Sequence, residues 1–91
     1  MGSHFEAEVT VMPKPEVADP QGQAIEQALA RLALSGTEGV RASHVRVGKV
    51  VHLELEAADR ASAERALEAL ADRVLANPNI ESFSCSIRDP K

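Results

Sequence analysis

The sequence predicts an α+β domain of order β-α-β-β-α-β, the ferredoxin-like arrangement: a four-stranded antiparallel sheet with two helices on one face. Three observations predict it. Period-two alternation of apolar and polar residues marks strands near both ends and in the middle of the chain. Two stretches of helical period lie between them, each opened by an aspartate suited to capping. The chain has 91 residues, enough for one domain, read as 1–91, and no solenoid repeat or low-complexity tract divides it.

Met1-Gly2-Ser3-His4 reads equally as a natural start or as the remnant of an expression tag, and 1–4 carry no weight. From Phe5 the chain alternates, with Phe5, Ala7, Val9 and Val11 on one side and Glu6, Glu8, Thr10 and Met12 on the other. Met12-Pro13-Lys14-Pro15 ends this strand, because proline donates no ladder hydrogen bond. Asp19 then suits an N-cap and Pro20 a first helical position, where a missing N–H costs nothing. Ile25, Ala28, Leu29 and Leu32 form the apolar stripe of this helix, Gln23, Glu26, Gln27 and Arg31 its wet face, and the glycines of Ser35-Gly36-Thr37-Glu38-Gly39 stop it.

Val45 and Val47, then Val51, Leu53 and Leu55, alternate with polar residues and read as a hairpin turning at Gly48-Lys49. Parity opposes the simplest version. A plain two-residue turn sets Val45 against His52, an apolar residue against a polar one on the same face. The reading therefore requires an odd-length loop or a bulge near 48–50. Asp59 caps a second helix over about Arg60 to Ala76, with Ala63, Leu67, Leu70 and Val74 as its stripe, ended by Asn77-Pro78. Phe83, Cys85 and Ile87 alternate in a last strand. The inward rows share the helix-covered face; Glu6, Glu8, His44, Arg46, His52, Glu54, Glu56, Ser84 and Arg88 fall on the open one.

Composition removes several functions. Lys+Arg 10 against Asp+Glu 14 leaves a net charge of −4, without the basic footprint of a nucleic-acid binder. Both Phe residues lie in inward rows and there is no Tyr or Trp, so the open face has no platform for stacking bases. A single cysteine makes neither an internal disulfide nor a cysteine-based metal site, and its place in an inward row reads as a buried free thiol. No apolar run approaches the roughly 20 residues that span a bilayer, and no secretory leader is apparent, so the expected compartment is the cytoplasm. A short, aromatic-poor chain buries little surface alone, which favours an oligomer. Two routes are open: stacking of the polar sheet faces, or pairing of edge strands.

The catalytic inventory is thin. His44 and His52 lack a third ligand and read as surface residues paired with Glu54 or Glu56. The open-face glutamates have no enclosing pocket to shift their pKa values. Asp19 already occupies the positive helix end that a phosphate would need. Gly22 costs about 1 kcal/mol relative to alanine inside a helix, which close approach of another backbone explains: the hairpin of this chain or a partner. The set of residues is that of a binding or assembly subunit.

Three stretches carry a resemblance. Val11-Met12-Pro13-Lys14-Pro15 leading to Asp19-Pro20-Gln21-Gly22-Gln23-Ala24-Ile25, then His44-Val45-Arg46-Val47-Gly48-Lys49, then Leu75-Ala76-Asn77-Pro78-Asn79-Ile80-Glu81 resemble, in order and spacing, the PurS family. These are the small subunits of phosphoribosylformylglycinamidine synthase, and the likeness runs from Phe5 to Arg88. It implies a non-catalytic adaptor, a homodimer or higher homo-oligomer, between a glutaminase subunit (PurQ) and a synthetase subunit (PurL), assisting ammonia transfer in purine synthesis. It implies no cofactor in this chain, with ATP and Mg on the synthetase, and no nucleic-acid or membrane partner. The positions it marks as contacting partners, or fixing the elements that do, are Asp19, Gln21, Gly22, Arg46, Gly48 and Lys49, with Lys49 at the hairpin tip and Arg46 on the open face. No catalytic or metal-ligating residue is implied. The other class compatible with this order of elements is an ACT-type regulatory domain that binds amino acids.

Overall fold

The alternating run at the N-terminus becomes the central strand of the sheet. In a computed structural model describing residues 2–32, 35–36 and 38–88, β1 (Ser3–Pro13) is flanked by β2 (Lys49–Ala57) and β3 (Glu81–Arg88), both antiparallel to it. Ser3 and His4 belong to β1, opposite Ala57 and Glu56, so these two residues are part of the fold. Phe5 faces Leu55 and Val9 faces Val51 on one side; Val9 faces Cys85 and Val11 faces Phe83 on the other. The row Phe5, Ala7, Val9 and Val11 is buried, as its period of two requires.

Two helices accompany the sheet: α1 (Pro20–Arg31) and α2 (Arg60–Leu70). Asp59 caps α2 by accepting the Ser62 N–H at 2.8 Å. Ala63 and Leu67 bury the inner stripe of α2 against the β1 row. The helix then widens into a π turn over Ala71–Leu75. Ala71 faces the core at the ordinary spacing of four from Leu67; the extra residue of the turn that follows rotates the stripe so that Leu75 faces the core in place of Val74. Val74, expected inside, is 72% exposed, and Leu70 lies at the rim.

The sequence expectation fails in three further places. The sheet formed by the described residues has three strands, not four, because residues 45–47 pair with no strand. No hairpin turns at Gly48-Lys49. The β1–β2 register that sets Lys49 opposite Val11, carried further, puts Arg46 level with Lys14, and the Arg46 guanidinium bonds the Lys14 carbonyl at 2.7 Å. The segment therefore runs on in line with β2. Parity explains why. Val45, Val47, Val51, Leu53 and Leu55 are all odd-numbered, so the alternation is continuous across Gly48-Lys49 and needs no loop or bulge.

Secondly, α1 does not lie on the sheet. It makes no extensive contact with any strand, and Ile25 and Leu29 are each 40% exposed. It also ends at Arg31, before the glycines expected to stop it; Ala33, Leu34 and Thr37 in that connection lie outside the described residues, as do Met1 and 89–91. Thirdly, Cys85 is exposed, because α2 leaves this stretch of the edge strand β3 uncovered.

Candidate functional site

The residues singled out by sequence gather where α1 starts. Asp19 is buried and closes the first turn, its Oδ1 accepting the Gly22 N–H at 3.0 Å. Its second oxygen accepts the Val47 N–H at 2.8 Å. The bond from Val47, then that from Gly22, holds the Asp19 carboxyl below its ordinary value of 3.8, with the Arg46 charge a smaller contributor. One carboxylate thus caps α1 and ties the incoming 45–48 segment to it.

Gly22 is buried against that segment: a Cβ there would collide with the Val45 carbonyl. The close approach inferred from the cost of a helical glycine is real, and it is made by this chain's own backbone. Glu26, one helical turn beyond Gly22, accepts the Val45 N–H at 3.1 Å. Glu26 was read only as part of the wet face; its i,i+4 relation to Gly22 is the signal that could have found it.

Arg46 corrects a sequence expectation. It donates to the carbonyls of Lys14 and Val17, both at 2.7 Å, and so clamps the β1–α1 connection instead of presenting its charge on the open sheet face. Gly48 packs where a side chain would meet Met12 and the Val11 carbonyl. Lys49 is the exposed first residue of β2 rather than a hairpin tip, and Gln21 is exposed on the first turn of α1. Asp19, Gly22, Arg46 and Gly48 thus fix how 45–48 lies against α1 and β1, while Gln21 and Lys49 offer side chains to the outside.

The open sheet face carries cross-strand pairs of opposite charge. His4 approaches Glu56 at 3.4 Å, His52 approaches Glu8 at 3.6 Å, and Arg88 approaches Glu6 at 3.8 Å. The partners differ from those expected, since His52 sits opposite Glu8 in register. His44 is not on this face; it lies beside Ser43 at φ +56°, a kink before the docked segment. Partial shielding from water, and then the nearby Glu68, raises the thiol of the exposed Cys85 above its usual value, so it is protonated at neutral pH. Among the described residues no group of three His, Cys, Asp or Glu could hold a metal ion, and no helix is long and apolar enough to cross a membrane.

These features define a small α+β protein, without a catalytic group or metal cluster among the described residues, whose best-built contacts hold its own segments together. Comparison with known proteins gives the family. Residues 6–89 match the family model "PurS: Phosphoribosylformylglycinamidine (FGAM) synthase". The PurS subunit of phosphoribosylformylglycinamidine synthase from Synechocystis is 38% identical over 96% of this chain and 82% of its own length. The crystal structure of the Thermotoga maritima PurS subunit superposes with a TM-score of 0.80 at 26% identity, covering 97% of this chain and 95% of that one. A chain of the structure of PurLQS from the same organism gives 0.78 at 27% identity, over 93% and 98%. The chain belongs to the PurS family.

Proposed function

We propose that this chain is the non-catalytic adaptor of a split phosphoribosylformylglycinamidine synthase. It holds a glutaminase subunit against a synthetase subunit and assists the ammonia released by the first in reaching the second. The overall reaction turns formylglycinamide ribonucleotide, ATP and glutamine into formylglycinamidine ribonucleotide, ADP, phosphate and glutamate. In this reading the glutaminase supplies the thiol nucleophile and the synthetase binds ATP and Mg, in the cytoplasm. The observation that carries it is the likeness to a chain of the PurLQS structure over nearly the full length of both.

The described geometry supports a division of labour. The Asp19–Val47 and Gly22–Val45 contacts hold α1 and residues 45–48 as one rigid unit, and Gln21 and Lys49 on its surface meet a partner. The four-stranded ferredoxin-like layout is completed on self-association, since one chain leaves the outer edge of β2 open. The reading is tested by pull-down with separately produced PurL and PurQ subunits. Retention of both on this chain is expected; retention of neither overturns it.

A further inference from the structure

The sheet order β2-β1-β3 leaves two free edges, and self-association through that of β2 leaves the edge of β3 open. In an antiparallel ladder alternate residues turn their N–H and C=O toward the neighbouring strand. The Lys14 N–H bonds the Ile80 carbonyl at 2.9 Å, in step with the β1–β3 register, so the even-numbered residues of this stretch face β1. The odd-numbered ones, Phe83, Cys85 and Ile87, turn their backbone groups outward. Ile87 agrees, its carbonyl accepting from Arg60 Nη2 at 3.1 Å. Among the described residues nothing bonds the outward N–H and C=O of Phe83 and Cys85.

The side chains of the same three residues share the helix-covered side of the sheet, and α2 covers them incompletely. Phe83 and Ile87 are half-buried and Cys85 is exposed. A cleft runs between this edge and α2, lined by Arg60, Glu64, Leu67 and Glu68 from the helix and by Cys85 and Ile87 from the strand. Arg60 holds Glu64 at 2.9 Å, whereas Glu68 has no partner among the described residues. Proteins blunt a free edge with proline, lysine or a bulge, or cover it. β3 has no proline or lysine, and its register with β1 runs unbroken from Arg88 to Glu81. Its one guard is Arg60, at the Ile87 end.

We propose that the groove between α2 and β3 takes an extended segment of one of the two enzyme subunits, with an apolar side chain over Cys85 and a lysine or arginine against Glu68. The inference rests on the adaptor reading and gives it a docking surface. Unpaired backbone donors and acceptors in a row call for an extended strand, since a helix has already bonded its own. A strand added beside β3 sends alternate side chains into the cleft, where Leu67, Cys85 and Ile87 offer apolar surface. The unpaired Glu68 carboxylate, on a chain of net charge −4, selects a basic residue on that segment. A second copy fits poorly. A two-fold β3–β3 pairing centred on Cys85 lays both α2 helices on the same face and turns the Glu68 beside each Cys85 toward the other, a like-charge pair.

The test uses the full chain with separately produced PurL and PurQ. Cys85 is the only cysteine of this chain and lies in the groove. The rate at which N-ethylmaleimide adds to this chain, followed by its mass at mildly alkaline pH, therefore reports whether the groove is filled. Addition is expected to slow about tenfold or more in the complex. Two variants probe the two kinds of contact. Cys85→Pro removes one outward N–H and spares the ladder to β1, and Glu68→Lys reverses the unpaired charge on the exposed side of α2. Each is expected to weaken retention of one subunit about tenfold or more. Should Cys85→Pro fail to fold, Glu68→Lys and the alkylation rate decide. An unchanged alkylation rate in the complex overturns the groove, as does a folded variant of either kind that retains both subunits like the parent. Failure of the adaptor reading is a separate result: the parent chain itself retains neither subunit.

Discussion

Asp19 and Val47, 28 residues apart in the chain, are joined by a 2.8 Å hydrogen bond from the Val47 N–H to the carboxylate that also caps α1. Through this bond a local signal, an aspartate before Pro-Gln-Gly, becomes a tertiary one: the helix start and the approach to β2 move together.

The acid sensitivity of the fold follows from it. Asp19 is held below 3.8 chiefly by the Val47 N–H, and Asp59 chiefly by the Ser62 N–H. Both folded-state values lie below the unfolded ones, so the stabilisation is complete above about pH 4 and is lost as pH falls through the folded values. Urea midpoints measured between about pH 5 and 2 should fall steeply for the parent chain. The fall should be shallower for Asp19→Asn, which starts from a lower midpoint at neutral pH.

Gly22→Ala is expected to destabilise in spite of its better helix propensity. The gain of about 1 kcal/mol is opposed by a collision with the Val45 carbonyl, a backbone atom that cannot swing aside. Overpacking of this kind costs about 1–3 kcal/mol, so the net change is a loss of up to ~2 kcal/mol. Thermal unfolding of the variant would show it as a lower Tm.

Arg46→Ala removes donors from the carbonyls of Lys14 and Val17. Charged hydrogen bonds contribute about 1.5–3 kcal/mol, and water replaces part of this at a half-buried site, leaving a loss of ~1 kcal/mol. Both bonds leave one nitrogen, Nη2, and an ammonium also carries several donors on one nitrogen, so Arg46→Lys should recover part of the loss, limited by its different reach. Chemical denaturation of the two variants measures the difference.

Leu67→Ala and Leu29→Ala should separate core from assembly. Leu67 is 1% exposed against Val9 and Val11, so its truncation costs about 2–5 kcal/mol and lowers Tm at any protein concentration. Leu29 lies on the uncovered stripe of α1, so its truncation should lower Tm mainly by weakening self-association. Tm recorded across a dilution series distinguishes the two.

Amino acids should not act as ligands. A regulatory domain of the ACT class would gain about 2.7 kcal/mol at a hundredfold excess over its dissociation constant. A thermal-shift panel of free amino acids is expected to leave this chain unchanged.

Much of this was legible from residue order alone. The buried row of β1, both aspartate caps, the start of α2 and the backbone approach at Gly22 each rest on local chemistry that the sequence states directly. What was not legible is direction. Alternation reports which face a residue takes but not whether the chain reverses, so Val45 and Val47 read as a strand of a hairpin when they run on into β2. The same parity that troubled the hairpin was the clue to its absence. Arg46 was placed on the open face by that hairpin, and it lost that place when the hairpin did. Cys85 and Val74 show the other limit: periodicity assigns a row, while the path of α2 and the extra residue of its π turn decide what is covered.

The central claim is that this chain serves a reaction whose chemistry lies on its partners. The most direct measurement is turnover of formylglycinamide ribonucleotide by PurL and PurQ with and without this chain, supplied with glutamine or with free ammonia. Glutamine-dependent turnover is expected to require this chain, and ammonia-dependent turnover by PurL is not. Equal glutamine-dependent rates in its presence and absence would contradict it.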